Sequence, residues 1–300
     1  MKYPITGTFI DEITHDIPSS NWSDQDWCND LDNMKSVGID TLIIIRGGYN
    51  NKCIYPSKHF PHQKDQNEDF LDLILRESEK RDMKVFVGLY ITNLTWNDGD
   101  AKTEIEKNEL FTDEVIERYS KYKSFYGWYI PHEVGCDILN ICDIFYYLAK
   151  MCKEKTPDKK VMISPFFYTN PDVIPENERL SAIDTYHEWD KILAKSGKYI
   201  DIASFQDGSA PLEKITDYFE NAKKAFDKYN IELWSNIELF DASMRGFYPL
   251  PFDLLKTKAR LVKPYVKKFI CFEFSHFLSH QSIFESSRNL FKLYKEYYKE

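Results

Sequence analysis

The 300-residue chain carries 39 basic and 48 acidic residues for a formal net charge of −9. That balance, without a basic stripe, argues against nucleic acid as the main partner. Hydrophobic content of 43% and charged content of 29% describe an ordinary soluble globular chain, and no apolar run approaches the ~20 residues that a membrane helix needs.

In chain order, strand-like runs alternate with helical ones. Ile5–Ile13 reads as the first strand, ending in Asp11 and Glu12. Ser23 then caps a helix, with Asp26 three positions on and Trp27, Leu31, Met34 and Val37 at helical spacing, until Gly38 stops it. Asp40–Gly48 is apolar on both faces, as a buried parallel strand demands. A long loop leads to a helix over Asp69–Arg81. Lys84–Ile91 is the third strand, and a loop with Trp96 precedes a helix over Thr103–Tyr122. The fourth strand is Phe125–Glu133 (FYGWYIPHE), followed by a helix over Ile138–Lys155. Lys160–Phe167 and Asp201–Gly208 are the fifth and sixth strands, with helices over Ile183–Ser196 and Pro211–Tyr229. Glu232–Asp241 (ELWSNIELFD) is the seventh, with a helix over Phe252–Val266. Lys268–Phe277 is the eighth, and Ser282–Tyr298 closes the chain.

Eight strand–helix units without a composition break predict one domain over residues 1–300, an α/β (β/α)8 TIM barrel. A doubly wound open sheet would want a Gly-rich phosphate turn, and Arg46-Gly47-Gly48 lacks the G-x-G-x-x-G spacing. The longest connections follow strands, while returns from helix to strand are short. That asymmetry places function on the rim at the strands' C-terminal ends.

On that rim two glutamates, Glu133 and Glu238, end the fourth and seventh strands. A carboxylate pointing into a cup of loops is costly to bury unless used or paired. Two of them facing each other across a sugar-sized gap are what cleavage of a glycosidic bond requires. The alternation of Trp234, Asn236 and Glu238 with Leu233, Ser235 and Ile237 gives the first set one face, placed inward. An indole floor, an amide and a carboxylate then suit a sugar subsite, or Trp234 simply fills the barrel.

The stretches ITGTFIDE, FYGWYIPHE, DIASFQDG, ELWSNIELFD and FICFEFSHF together resemble a family of bacterial glycosidase-like TIM barrels, similar to the retaining glycoside hydrolase clan with glutamates after strands four and seven. The resemblance runs through nearly the whole chain. It implies a retaining O-glycosyl hydrolase acting on an oligosaccharide or glycoside, with Glu133 as acid/base and Glu238 as nucleophile. A raised pKa on Glu133 and an ionised Glu238 are then expected. The clan's usual Asn before the acid/base is His132 here, which would donate to a sugar oxygen, hold Glu133 protonated, or only bond a loop carbonyl.

Further substrate-binding candidates are Glu12 after strand one, Arg46 after strand two, Gln206 and Asp207 after strand six, and His276 in strand eight. Tyr90 and Tyr168 follow strands three and five, and either would steady the nucleophile. Glu273 is the carboxylate that would compete with the pair. The alternative function is a TIM barrel that binds carbohydrate without cutting it.

No cofactor and no metal are expected. The seven histidines form no H-x-H or H-E-x-x-H pattern, and the six cysteines form no C-x-x-C. Lys84, Lys160 and Lys268 start strands, on the wrong rim for a Schiff base. The N-terminal MKYPITGTFI lacks an apolar signal-peptide core, so a cytoplasmic location is expected, or a secreted one if a leader was removed.

Overall fold

Apolar residues on both faces of each strand run imply two separate cores, and the structure, a computed structural model, contains both. It describes residues 2–14, 18–63, 67–92, 101–136, 140–169, 174–243 and 246–298. The barrel strands are β1 (Gly7–Ile10), β2 (Thr41–Ile44), β3 (Lys84–Gly88), β4 (Phe125–Ile130), β5 (Lys160–Ile163), β6 (Ile202–Gln206), β7 (Glu232–Glu238) and β8 (Phe269–Phe272). All pair in parallel with their neighbours in chain order, and β1 pairs with both β2 and β8 to close the cylinder. The fold is therefore the expected TIM barrel.

Side-chain alternation sorts the two cores. Phe9, Ile43, Phe86, Tyr129, Met162, Ile202, Trp234 and Ile270 pack inside the barrel. Their chain neighbours, such as Leu42, Val85, Val87, Trp128, Leu233 and Cys271, face the surrounding helices.

The main helices are α1 (Asp24–Ser36), α2 (Phe70–Lys80), α3 (Ala101–Tyr119), α4 (Ile141–Lys155), α5 (Ala182–Ser196), α6 (Ile215–Asp227), α7 (Phe252–Val262) and α8 (Glu285–Tyr298). At α1 the Ser23 side chain accepts from the Asp26 N–H while Asp26 accepts from the Ser23 N–H, the reciprocal cap predicted from the spacing. Trp27, Leu31 and Met34 are its buried stripe, and Gly38 takes φ +89 just past its end.

Several boundaries differ from expectation. β5 stops at Ile163, two residues before Pro165, which has no N–H to continue a ladder. β2 stops at Ile44. The residues beyond it form a separate small sheet in which Gly48–Tyr49 pairs with Lys52–Cys53 and with Tyr90–Ile91. β8 ends at Phe272, and Phe274–Phe277 makes a short helical turn instead of more strand. After β7 the chain forms an antiparallel hairpin, Phe240–Ser243 with Gly246–Pro249. The loop carrying Trp96 and the expected start of the fourth helix at Ile138 lie outside the described residues.

Candidate active site

The C-terminal ends of the strands surround a cavity of about 360 Å³, within the range of small-molecule sites. One side is polar. β4 runs inward at Tyr129, and two pleats later Glu133 projects over the barrel mouth. The Tyr129 hydroxyl donates to Glu133 Oε1 at 2.8 Å. The Gln206 side chain, from the end of β6, lies near enough to favour the Glu133 anion, and its Nε2 donates to the Ser164 carbonyl at 3.0 Å. Burial raises the Glu133 pKa, and the nearby negative Asp11 adds to this. Arg46, Tyr129 and Gln206 oppose them without cancelling the rise.

Across the mouth, Glu238 ends β7 and lines the same cavity. Its carboxyl is pushed up to about 7, first by burial and then by Asp207 and Glu133. Lys258 and the Gly208 N–H work the other way. Enclosure and a neighbouring acid thus work against the ionised form expected for Glu238. The backbone of Gly208 lies against this carboxylate so tightly that a Cβ there would fall 1.5 Å from Glu238 Oε2. A side chain at position 208 would therefore push the Glu238 carboxylate, the free end of its side chain, out of this position.

Asn236, one pleat below Glu238, is 1% exposed and lines the cavity. Its Oδ1 has no hydrogen-bond partner among the described residues. Arg46 Nη1 reaches Thr14 Oγ1 at 2.9 Å and Asp11 Oδ2 at 3.3 Å. Arg46 therefore holds a protein carboxylate at the edge of the cavity. His276 also faces the cavity, its Nδ1 2.6 Å from Glu273 Oε1. Burial disfavours its charged ring, yet Glu273, with Asp11 and Asp30, raises the His276 pKa overall.

The opposite wall is aromatic. Phe240 contacts Phe247, Phe277 and Phe272 with ring centroids 4.9, 5.3 and 6.1 Å apart, and Phe284 stacks beyond Phe277. Phe272 pairs with Glu238 in the β7–β8 register, so the wall starts beside that carboxylate. It ends on the hairpin at Phe247, which is 53% exposed.

Six of the predicted site residues thus meet in one place: Arg46, Glu133, Gln206, Asn236, Glu238 and His276. The other six lie elsewhere. His132 is fully buried and turned outward, its Nε2 2.9 Å from Glu104 Oε1 on α3, because it alternates with Glu133. Glu104 in turn accepts from the Thr92 N–H and hydroxyl. Trp234 fills the barrel near its other end. Its indole donates to Glu232 at 2.7 Å and lies under Lys268, so it is core and not a sugar platform. Tyr90 stacks on Phe60 in the small sheet and accepts from the Asn51 N–H. Tyr168 is half-buried, its carbonyl accepting from Leu180. Glu12 borders a separate small crevice with Gln63 and Asn67, and its neighbour Asp11 faces the cavity instead.

Asp207 is fully buried behind Glu238. It accepts from the Glu238 N–H at 3.1 Å and from Lys258 Nζ at 2.9 Å. Glu273, the competing carboxylate, is fully buried against His276 and does not line the cavity among the described residues. No three His, Cys, Asp or Glu side chains of the described residues gather as a metal set. Nor is any helix among them long and apolar enough to cross a membrane.

Sequence reasoning missed Tyr129, Gly208, Lys258 and the phenylalanine wall. Tyr129 had a signal, since it shares the inward parity of Glu133. Lys258 had another: it sits among Leu255, Ala259 and Val262 on the buried stripe of α7.

With this geometry in view, the sequence matches the family described as a domain of unknown function, DUF4434, over residues 5–283. The chain belongs to the DUF4434 family. A Bacteroides thetaiotaomicron crystal structure described as a candidate alpha-L-fucosidase is 37% identical to this DUF4434 protein. The match covers 99% of this chain and 96% of that one, with a TM-score of 0.92. The intracellular xylanase of Thermoanaerobacterium saccharolyticum is 14% identical over 90% of this chain and 85% of its own, TM-score 0.56. A chitinase from Pseudoalteromonas aurantia is 10% identical over 96% and 99%, TM-score 0.60. These last two share the barrel fold. A search of curated protein sequences gave no match.

Proposed function

We propose that this DUF4434 barrel is a glycoside hydrolase using Glu133 and Glu238 as its two carboxyl groups. The observation that carries the reading is that both side chains, from β4 and β7, line one sugar-sized cavity and both have raised pKa values. In the retaining scheme the Glu133 carboxyl gives its proton to the glycosidic oxygen as the C1–O bond breaks. Glu238 meanwhile attacks C1 and forms an ester. Glu133 then takes a proton from water, which attacks C1 and releases Glu238. Asn236 offers its free amide oxygen to a sugar hydroxyl, and the phenylalanine wall meets an apolar ring face. The description of the 37% identical relative makes an aryl α-L-fucoside the first substrate to try.

A second assignment exchanges the roles. Tyr129, Gln206 and Arg46 all direct positive ends at Glu133, which favours its ionised form, while Asp207 favours a proton on Glu238. One experiment tests both. The parent, Glu133→Ala and Glu238→Ala are assayed on a panel of aryl glycosides with and without azide. Each variant is expected to fall at least ~10²-fold. Azide trapped on the Glu238 variant with inverted configuration, and on the Glu133 variant with retained configuration, supports the first assignment. The opposite pattern supports the exchange. Binding without turnover by any of the three proteins would leave a carbohydrate-binding barrel.

A further inference from the structure

Buried charge behind Glu238 is the feature the proposed reaction leaves unused. Asp207 is fully buried at the end of β6, and its Oδ1 receives both the Glu238 N–H and Lys258 Nζ. Its Oδ2 has no hydrogen-bond partner among the described residues. Lys258 is itself 9% exposed and projects from the core-facing stripe of α7, where Leu255, Ala259 and Val262 are its neighbours. A lysine in an apolar stripe loses hydration and is retained where its charge has a partner. Here that partner touches the peptide N–H of a carboxylate facing the cavity, not solvent.

We propose that Lys258 and Asp207 form a positioning pair, seated in the barrel wall, that sets the protonation state in which Glu238 meets a substrate. The idea rests on the reading of Glu238 as a reacting group, under either assignment of roles. The charged groups that act most strongly on Glu238 are Asp207 from the end of β6, Lys258 from α7 and Glu133 from the end of β4, while Asp11, Arg46 and His276 line the same cavity. Asp207 disfavours the Glu238 anion, and the Lys258 ammonium favours it, by its own field and by offsetting Asp207. The pair thus opposes itself, and removing either member moves Glu238 in a known direction. Among the described residues Lys258 does not line the cavity, so it reaches Glu238 through Asp207 and through its own field from behind the wall.

The test is the titration of the Glu238 side-chain carboxyl by carbon-detected NMR in the full chain, its resonance assigned by loss in Glu238→Gln. Lys258→Met is expected to raise the midpoint by about one pH unit or more, and Asp207→Asn to lower it by a similar amount. Lys258→Arg should restore the parent value. Structural damage does not produce opposite shifts from two members of one pair. If Lys258→Met does not fold, Asp207→Asn and Lys258→Arg still give a decisive midpoint. Unmoved midpoints, or shifts of one sign for both, overturn the proposal. With an active substrate, the limb of kcat/KM that Glu238 sets should follow the same shifts: the acid limb if Glu238 is the nucleophile, the alkaline limb if it is the acid/base. Opposite shifts without turnover of any glycoside would leave the positioning pair standing and remove the hydrolase reading. Turnover with fixed midpoints would do the reverse.

Discussion

A carboxylate in a cavity is defined by the groups that approach it, and the two glutamates differ in that respect. Glu133 collects donors: the Tyr129 hydroxyl, the Gln206 amide and, at longer range, Arg46. Glu238 has the Gly208 N–H in front and an acid behind. Raising a carboxyl from 4.5 to about 7 means that the folded chain binds that proton more tightly than the unfolded chain does. The associated stability is therefore present below about 4.5 and lost as pH rises through about 7. Glu238→Gln keeps the shape and removes the charge. It is expected to raise the melting temperature over the parent at pH 8 and to change it little at pH 4. The difference corresponds to roughly 2–3 kcal/mol as an upper figure, since the cavity admits solvent. A thermal-melt series across that range checks the sign; equal effects at both ends would contradict it.

At the scale of elements, strand parity separates structural from exposed residues. β4 turns Tyr129 and Glu133 to the mouth and His132 to the helices, where it docks on Glu104 of α3. The hairpin after β7 brings Phe240 and Phe247 back over the cavity. Phe247 is the outermost ring of the wall and is over half exposed, so truncating it removes cavity surface without opening a core. Phe247→Ser should leave the denaturation midpoint within about 0.5 kcal/mol of the parent. It should raise KM for an aryl glycoside several-fold with kcat nearly unchanged, the pattern of lost uniform binding. A fall in kcat alone would mean that the hairpin acts on the chemistry instead.

For the molecule as a whole, barrel closure is held by its ends. β1 takes β8 and β2 as neighbours, and the last helix pins the first strand from outside. The Ile5 N–H donates to the buried Tyr294 hydroxyl at 2.7 Å, and the Tyr298 hydroxyl donates to the Tyr3 carbonyl at 2.9 Å. Tyr294→Phe leaves that peptide N–H buried without an acceptor and is expected to cost about 1–3 kcal/mol. Denaturant unfolding should show a lower midpoint with an unchanged slope. A lower slope would mean that the barrel opens locally at β1.

The strands were legible because a buried parallel strand is apolar on both faces, and the helices because the Ser23 cap, the Trp27–Leu31–Met34 stripe and Gly38 are local signals. Glu133, Glu238 and Asn236 were legible because strand parity needs only a neighbour count. What sits beside them was not. Glu12 and Asp11 are adjacent in sequence, and only the path of the chain after β1 decides which one meets Arg46. Trp234 has the right parity but the wrong depth, and depth depends on how strands are staggered around the closed cylinder. The strength of an acid is likewise a sum over distant residues: Asp207 and Lys258 reach Glu238 from a different strand and a different helix. Local sequence determined the elements and their faces, since propensity and alternation act between near neighbours. Only the tertiary fold set the charges of the site, because electrostatic fields depend on distance in space and not along the chain.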